Sequence, residues 1–157
     1  MAAPLDADME VMRRIPFFQD FSAEHLAFVA SSAESRSLPE KLLLFDEGQL
    51  LHSAYVVVSG TMKAERKGKG GEAAARREIG PGVLLGERAL IVDTRAAESV
   101  RVESRARVLQ IRKANFRKLL QESPEVAVAL RARISRMVVL AAAEYSEVAR
   151  RLAAIAD

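Results

Sequence analysis

The spacing of apolar positions changes period twice along the chain. Near the N-terminus, Met9, Met12 and Ile15 fall at helical spacing and stop at Pro16. Ser22-Ala23-Glu24-His25 then offers an N-cap before Leu26, Phe28 and Val29. The pattern predicts short helices within residues 1–36, with Phe17, Phe18 and Phe21 as packing anchors between them. From Leu38 the texture turns to short apolar runs, Leu42-Leu43-Leu44-Phe45 and Tyr55-Val56-Val57-Val58, bounded by Asp46-Glu47-Gly48 and Ser59-Gly60. These are strands, and Thr61 to Glu65 predicts another after a turn at Gly60. Further strands are expected at 76–79, 83–85, 99–102 and 106–111, with the Gly- and Lys-rich stretch 66–71 as an exposed hairpin loop. Many short strands with frequent turns describe a sandwich or roll, here over residues 37–112.

After Lys113 the helical period returns. Phe116, Leu119 and Leu120 predict a short helix, and Ser123-Pro124 starts another, since proline suits a first helical turn. Helices are thus expected over 114–156. Leu130, Ile134, Met137, Ala141, Tyr145, Val148, Leu152 and Ile155 step by four and three residues, one continuous apolar stripe. A helix from Pro124 to Ala156 would be roughly 50 Å long at ~1.5 Å per residue, longer than a small β-domain can cover. The stripe predicts a homodimer through a coiled-coil-like seam, the alternative being a helix that lies back across its own domain.

Composition narrows the function. The chain has 157 residues, 50% of them hydrophobic and 29% charged, with a net charge of +3, which fits one soluble α+β, mainly β, domain over 1–157. There is no cysteine, so thiol nucleophiles and zinc ribbons are excluded, and His25 and His52 alone make neither a metal site nor a triad. No metal, no cofactor and no catalysis are expected. The acidic start, Asp6, Asp8 and Glu10, lacks the features of a signal peptide, and no apolar run reaches the ~18 residues of a span. A cytoplasmic protein is expected. The basic run Arg101, Arg105, Arg107, Arg112, Lys113, Arg117 and Lys118 reads as a solvated face rather than a nucleic-acid stripe.

The informative segment is Pro81 to Ala97. Gly86 followed by Glu87-Arg88-Ala89 exposes backbone N–H groups at a helix start, which suits an anion. A nearby arginine suits phosphate oxygens, and Glu87 suits a sugar hydroxyl. Leu85-Gly86-Glu87-Arg88-Ala89-Leu90 and Thr94-Arg95-Ala96-Ala97 resemble the two ends of the phosphate-binding cassette of the cyclic nucleotide-binding domain family. Bacterial catabolite activator protein and the regulatory subunits of cAMP-dependent protein kinase belong to that family. Ile15-Pro16-Phe17-Phe18, Ser22 to Leu26, Leu44 to Gly48 and Ala54 to Gly60 resemble its N-terminal helices and early strands. The resemblance implies a double-stranded β-helix, a roll of jelly-roll type, flanked by short N-terminal helices and a long C-terminal helix. It places the cassette at 82–97, gives Glu87 the ribose and Arg95 the phosphate, and has the amides of Gly86, Ala89 and Ala96 in support. Arg88 lies in the same site, and Val83 and Leu85 wall the base. Members that prefer cGMP often carry Thr after the cassette arginine; Ala96 stands here, which favours cAMP.

Two registers are open between Glu87 and Val100. Glu87 and Arg95 lie eight positions apart, shorter than the family's usual spacing. Read back from Val100 without a gap, Glu98 takes an alanine's place, Ala96 takes the arginine's, and Arg95 falls on a proline. Either the loop is one residue short and bulged near Glu98, or the phosphate arginine is lost and the pocket is degenerate. The expected function is a non-catalytic cyclic nucleotide sensor that signals through its C-terminal helix and dimer. The alternatives are a ligand-independent dimerisation module capturing a protein effector, or the sensor half of a DNA-binding regulator.

Overall fold

A computed structural model of the protein describes residues 4–68, 70 and 73–133. Helix α1 (Pro4–Arg13) ends before Pro16, which opens a 3-10 turn, Pro16–Phe18. Helix α2 (Ala23–Ser32) is capped as expected: the Ser22 hydroxyl accepts the His25 N–H at 3.1 Å. The helical segment expected to 36 stops at Ser32, because β1 (Glu34–Leu38) is drawn into a ladder with a strand seventy residues later.

Eight strands follow: β1, β2 (Leu43–Phe45), β3 (Leu50–Leu51), β4 (Ser53–Lys67), β5 (Ala73–Ile79), β6 (Leu84–Leu85), β7 (Thr94–Arg95) and β8 (Ser99–Arg112). The long strands β4 and β8 pair antiparallel along almost their whole lengths, from Ser53 opposite Arg112 to Glu65 opposite Ser99. Each changes its outer neighbour midway. β8 pairs with β1 through 106–110 and with β2 through 100–101, while β4 pairs with β6 through 55–56 and with β5 through 62–67. One ladder thus serves two faces, and the result is the jelly-roll type of β-roll.

The sequence suggested a turn at Gly60 and a break between 102 and 106; both strands run through instead. Register shifts between Val57 and Met62 absorb the bend, and Gly60 adopts a φ of 86°. A Cβ there would lie 2.4 Å from the Arg105 carbonyl oxygen, so the two backbones meet where only glycine fits.

Leu38, Phe45, Leu51, Val57, Met62, Ala64, Ile79, Val100, Val102, Ala106 and Val108 fill the interior of the roll. On the opposite face, Val56, Leu109 and Ile111 are equally buried, where α1, α2 and α3 (Lys113–Glu122) pack onto the long strands. Phe17, Phe18 and Phe21 do anchor this layer: with Phe116 of α3 they form a ring cluster with centroids 5.2–6.2 Å apart. Asp8 of α1, 7% exposed, accepts from Arg107 Nη2 at 2.7 Å and ties that helix to β8.

Chain contacts divide into two compact units, Met1–Glu122 and Ser123–Asp157. The division falls where Pro124 lacks the N–H that would continue α3. In the second unit a helix, α4, occupies 124–133, and the Val126 N–H bonds the Ser123 carbonyl at 3.0 Å. The stripe from Ile134 to Ile155, and with it the expected dimer seam, lies outside the described residues.

Two glycines with the same handedness separate strain from crowding. Gly60→Ala is expected to cost about 2–5 kcal/mol, a left-handed alanine plus overpacking. Gly48→Ala, with a φ of 85° and no atom within 4 Å, meets the first cost alone, about 1–2 kcal/mol. Urea denaturation of both variants checks this; equal losses would remove the close approach as the reason for Gly60.

Candidate functional site

The cassette is a loop hung between two short ladders. At its start β6 pairs with β4, setting Leu85 opposite Tyr55. Gly86 then turns left-handed, with a φ of 74°, and a Cβ there would come within 3.3 Å of the Ser53 carbonyl. The turn releases a 3-10 segment, Glu87–Leu90, in which Ala89 and Leu90 are fully buried and Glu87 and Arg88 face solvent. At its end β7 pairs with β3, and the next residue continues the link: the Ala96 N–H bonds the Gln49 carbonyl, and the Gly48 N–H bonds the Ala96 carbonyl, both at 2.8 Å.

The residues singled out in the sequence divide by direction. Leu85, Ala89 and Ala96 join the interior cluster, and Val83 packs against it half-buried. Gly86 is half-buried beneath them. Two amides expected to face an anion are engaged elsewhere, since the Ala89 N–H bonds the Gly86 carbonyl at 2.9 Å and that of Ala96 bonds Gln49. Thr94 lies opposite the buried Leu51, and Arg95 opposite the exposed Leu50. Alternation therefore turns Arg95 outward and Ala96 inward. The Arg95 guanidinium is exposed and donates to the Gly48 carbonyl at 3.0 Å.

An arginine on the inward-facing row of the sheet comes from β5. Arg77 stands opposite Ala64, which stands opposite Val100, and both partners are buried. Arg77, Ala64 and Val100 form one row across three strands, and Ile79, two residues on, is buried on the same face. Arg77 Nε donates to Glu98 Oε1 at 3.0 Å and Oε2 at 3.3 Å, and Nη2 to Oε1 at 2.5 Å. The hydrogen bond to Glu98 raises the Arg77 pKa, helped by the charges of Glu98 and Glu87 and opposed by partial burial. The sequence carried the signal, since Arg77 and Ile79 are two apart in a strand, but the interior face of β5 was not assigned.

Two further sets of contacts lie around the cassette. Ser99 Oγ bonds Asp46 Oδ1 at 2.5 Å and accepts the Glu47 N–H at 2.8 Å, which fixes the loop before β3. That hydroxyl is the first cause of a lowered Asp46 pKa. On the other side, Lys113 Nζ bonds Asp93 Oδ1 at 2.6 Å, joining the cassette to the first residue of α3. The hydrogen bond and then the charge of Lys113 hold the Asp93 carboxyl below the usual carboxylate range.

The strand arginines outside the roll are engaged as well. Arg101, Arg105, Arg107 and Arg112 bond the Lys41 carbonyl, Ser37, Ser35 with Asp8, and Glu34. Among the described residues no group of His, Asp and Glu side chains is placed to hold a metal ion, and no helix is long and apolar enough to cross a membrane.

The roll carries a Gly-Glu loop hung between two short ladders, with helices on one face. The family described as the cyclic nucleotide-binding domain matches residues 35–123, and the chain belongs to it. The chain is 29% identical over 126 residues to the cyclic AMP receptor protein of Thermus thermophilus, covering 80% of this chain and 58% of that protein. Among solved structures it resembles the N-terminal domain of a transcriptional regulator from Streptomyces coelicolor, at 27% identity and a TM-score of 0.76, covering 82% of this chain and 90% of that one. A cyclic nucleotide-binding-like protein from Brucella abortus is 32% identical with a TM-score of 0.66, covering 73% and 97%.

The Asp93–Lys113 pair makes a pH prediction. A carboxyl with a lowered folded pKa contributes stability above its ordinary pKa and loses it as pH falls through the lowered value. In Lys113→Met, the Asp93 carboxyl carbon followed by NMR is expected to titrate at higher pH, back in the ordinary range. An unmoved titration would show that Lys113 does not hold it.

Proposed function

We propose that the chain is a non-catalytic sensor domain that binds a cyclic nucleotide, cAMP in preference to cGMP, inside its β-roll. The observation that carries this is the cassette frame: a left-handed Gly86 lying close against the Ser53 carbonyl, followed at once by the exposed carboxylate of Glu87. In this reading Glu87 accepts the ribose hydroxyl, with Arg88 beside it, and Val83 and Leu85 form an apolar wall for the base. Neither Ala96 nor Ala97 offers a hydroxyl to a guanine amino group, which supports cAMP. The similarity to a protein named for cyclic AMP points the same way.

Occupancy would pass to α3, which packs against the 3-10 segment and is tied to the cassette through Lys113 and Asp93. The output is assigned to the C-terminal helix and a homodimer formed through it, read by a protein effector or, in a longer chain, by a DNA-binding partner domain. Linkage requires that whatever reads the bound state also tightens ligand binding by the same factor. A second reading, a ligand-independent interaction module, is favoured by one observation: the buried inward position holds the methyl group of Ala96, and a carboxylate, Glu98, stands at the mouth.

Calorimetric titration of cAMP and cGMP decides between them, with a parallel melt. A binder gains ~2.7 kcal/mol at a hundred times its dissociation constant. Glu87→Gln is expected to weaken cAMP about tenfold or more through the loss of a charged acceptor. Arg95→Ala, on the outer face, is expected to stay within about threefold of wild type. Silence with both nucleotides would leave the interaction module standing.

A further inference from the structure

We infer that Arg77 of β5, rather than an arginine of the cassette, receives the phosphate of the nucleotide, with Glu98 occupying its guanidinium until the ligand arrives. The inference rests on the cyclic nucleotide reading and adds a residue to it. Three observations carry it.

First, the cassette turns no cation into the roll. Its inward position is Ala96, 6% exposed, while Arg88 faces solvent and Arg95 is spent on the Gly48 carbonyl from outside. A phosphate entering the interior needs a counter-charge from another strand.

Second, Arg77 is placed to supply it. It shares an inward row with Ala64 and Val100, yet its side chain keeps 52% of its exposure, so it lies at the mouth and not in the packed core. It also stands between the two ends of the cassette, bonded to Glu98 at one end and feeling the charge of Glu87 from the other. A ligand whose ribose rests on Glu87 would present its phosphate toward this guanidinium.

Third, the site already holds an oxyanion. The edge of Arg77 grips both oxygens of the Glu98 carboxylate, and the same planar fork matches two oxygens of a phosphate. Glu98 is the protein's own stand-in, and because Arg77 is half-exposed the pair is weak enough to be displaced. Its carboxylate would otherwise repel the ligand, so exchange of partners at Arg77 is also what makes room for the anion.

The test is calorimetry on the full chain with cAMP, cGMP and adenosine, which has no phosphate, using wild type, Arg77→Ala, Arg77→Lys and Glu98→Gln. Arg77→Ala is expected to lose about 30-fold in cAMP affinity with adenosine unchanged, and Arg77→Lys to lose less, keeping the charge without the fork. Glu98→Gln, which frees the guanidinium, is expected to bind cAMP about tenfold more tightly. If wild type binds and Arg77→Ala binds within about threefold of it, the inference is overturned while the sensor reading survives. If Glu98→Gln binds where wild type does not, and Arg77→Ala in that background abolishes it, Arg77 is the phosphate ligand and the wild-type sensor reading falls. If neither wild type nor Glu98→Gln binds either nucleotide, both are overturned.

Discussion

The ladder between Ser53–Lys67 and Ser99–Arg112 is the constraint on which the first unit depends. Each strand is too long to stay in one flat layer, and the ladder bends at Gly60, where two backbones approach too closely for any side chain. The bend lets the two halves of each strand take different neighbours, which wraps the sheet around an interior. Val57 and Val108 face that interior while Val56 and Leu109 face the helices, so the ladder is buried on both sides at its centre. Everything attached to it inherits its register.

The cassette shows what that inheritance means. Its two ends are held by two-residue ladders, β6 on β4 and β7 on β3, and each fixes the direction of every side chain nearby. One step of alternation separates Arg95 outside from Ala96 inside. The same rule, applied to a different strand, brings Arg77 inward opposite Ala64. A family resemblance transfers residue types along a sequence; the ladder decides which of them face a ligand.

The helices are held to one another and to the cassette by two kinds of contact. The phenylalanine cluster joins the turn after α1 to α3, and Lys113 joins α3 to the cassette. Apolar packing of this kind is stiff and short-ranged, whereas an exposed ion pair is easily exchanged. A loop that moves on binding can therefore alter the second type of contact without dissolving the first. The chain spans 58% of the length of the receptor protein it resembles.

Much of this was legible in one dimension. The helical spacing up to Ile15, the cap at Ser22, the strand-forming runs and the Gly-Glu motif at 86–87 are local, and each arises from backbone chemistry over a few residues. Membership of the family was equally legible, because its motifs lie in order along the chain. What the sequence could not decide was pairing. Gly60 looks like any turn glycine until Arg105 is placed against it, and Glu34 to Arg36 extends the α2 helix until β8 offers a ladder. The outward direction of Arg95 is fixed only when Leu50 is set opposite, and the row that Arg77 shares only when Ala64 is. In each case the deciding partner lies on another strand, and the direction of a strand side chain exists only relative to the strand beside it.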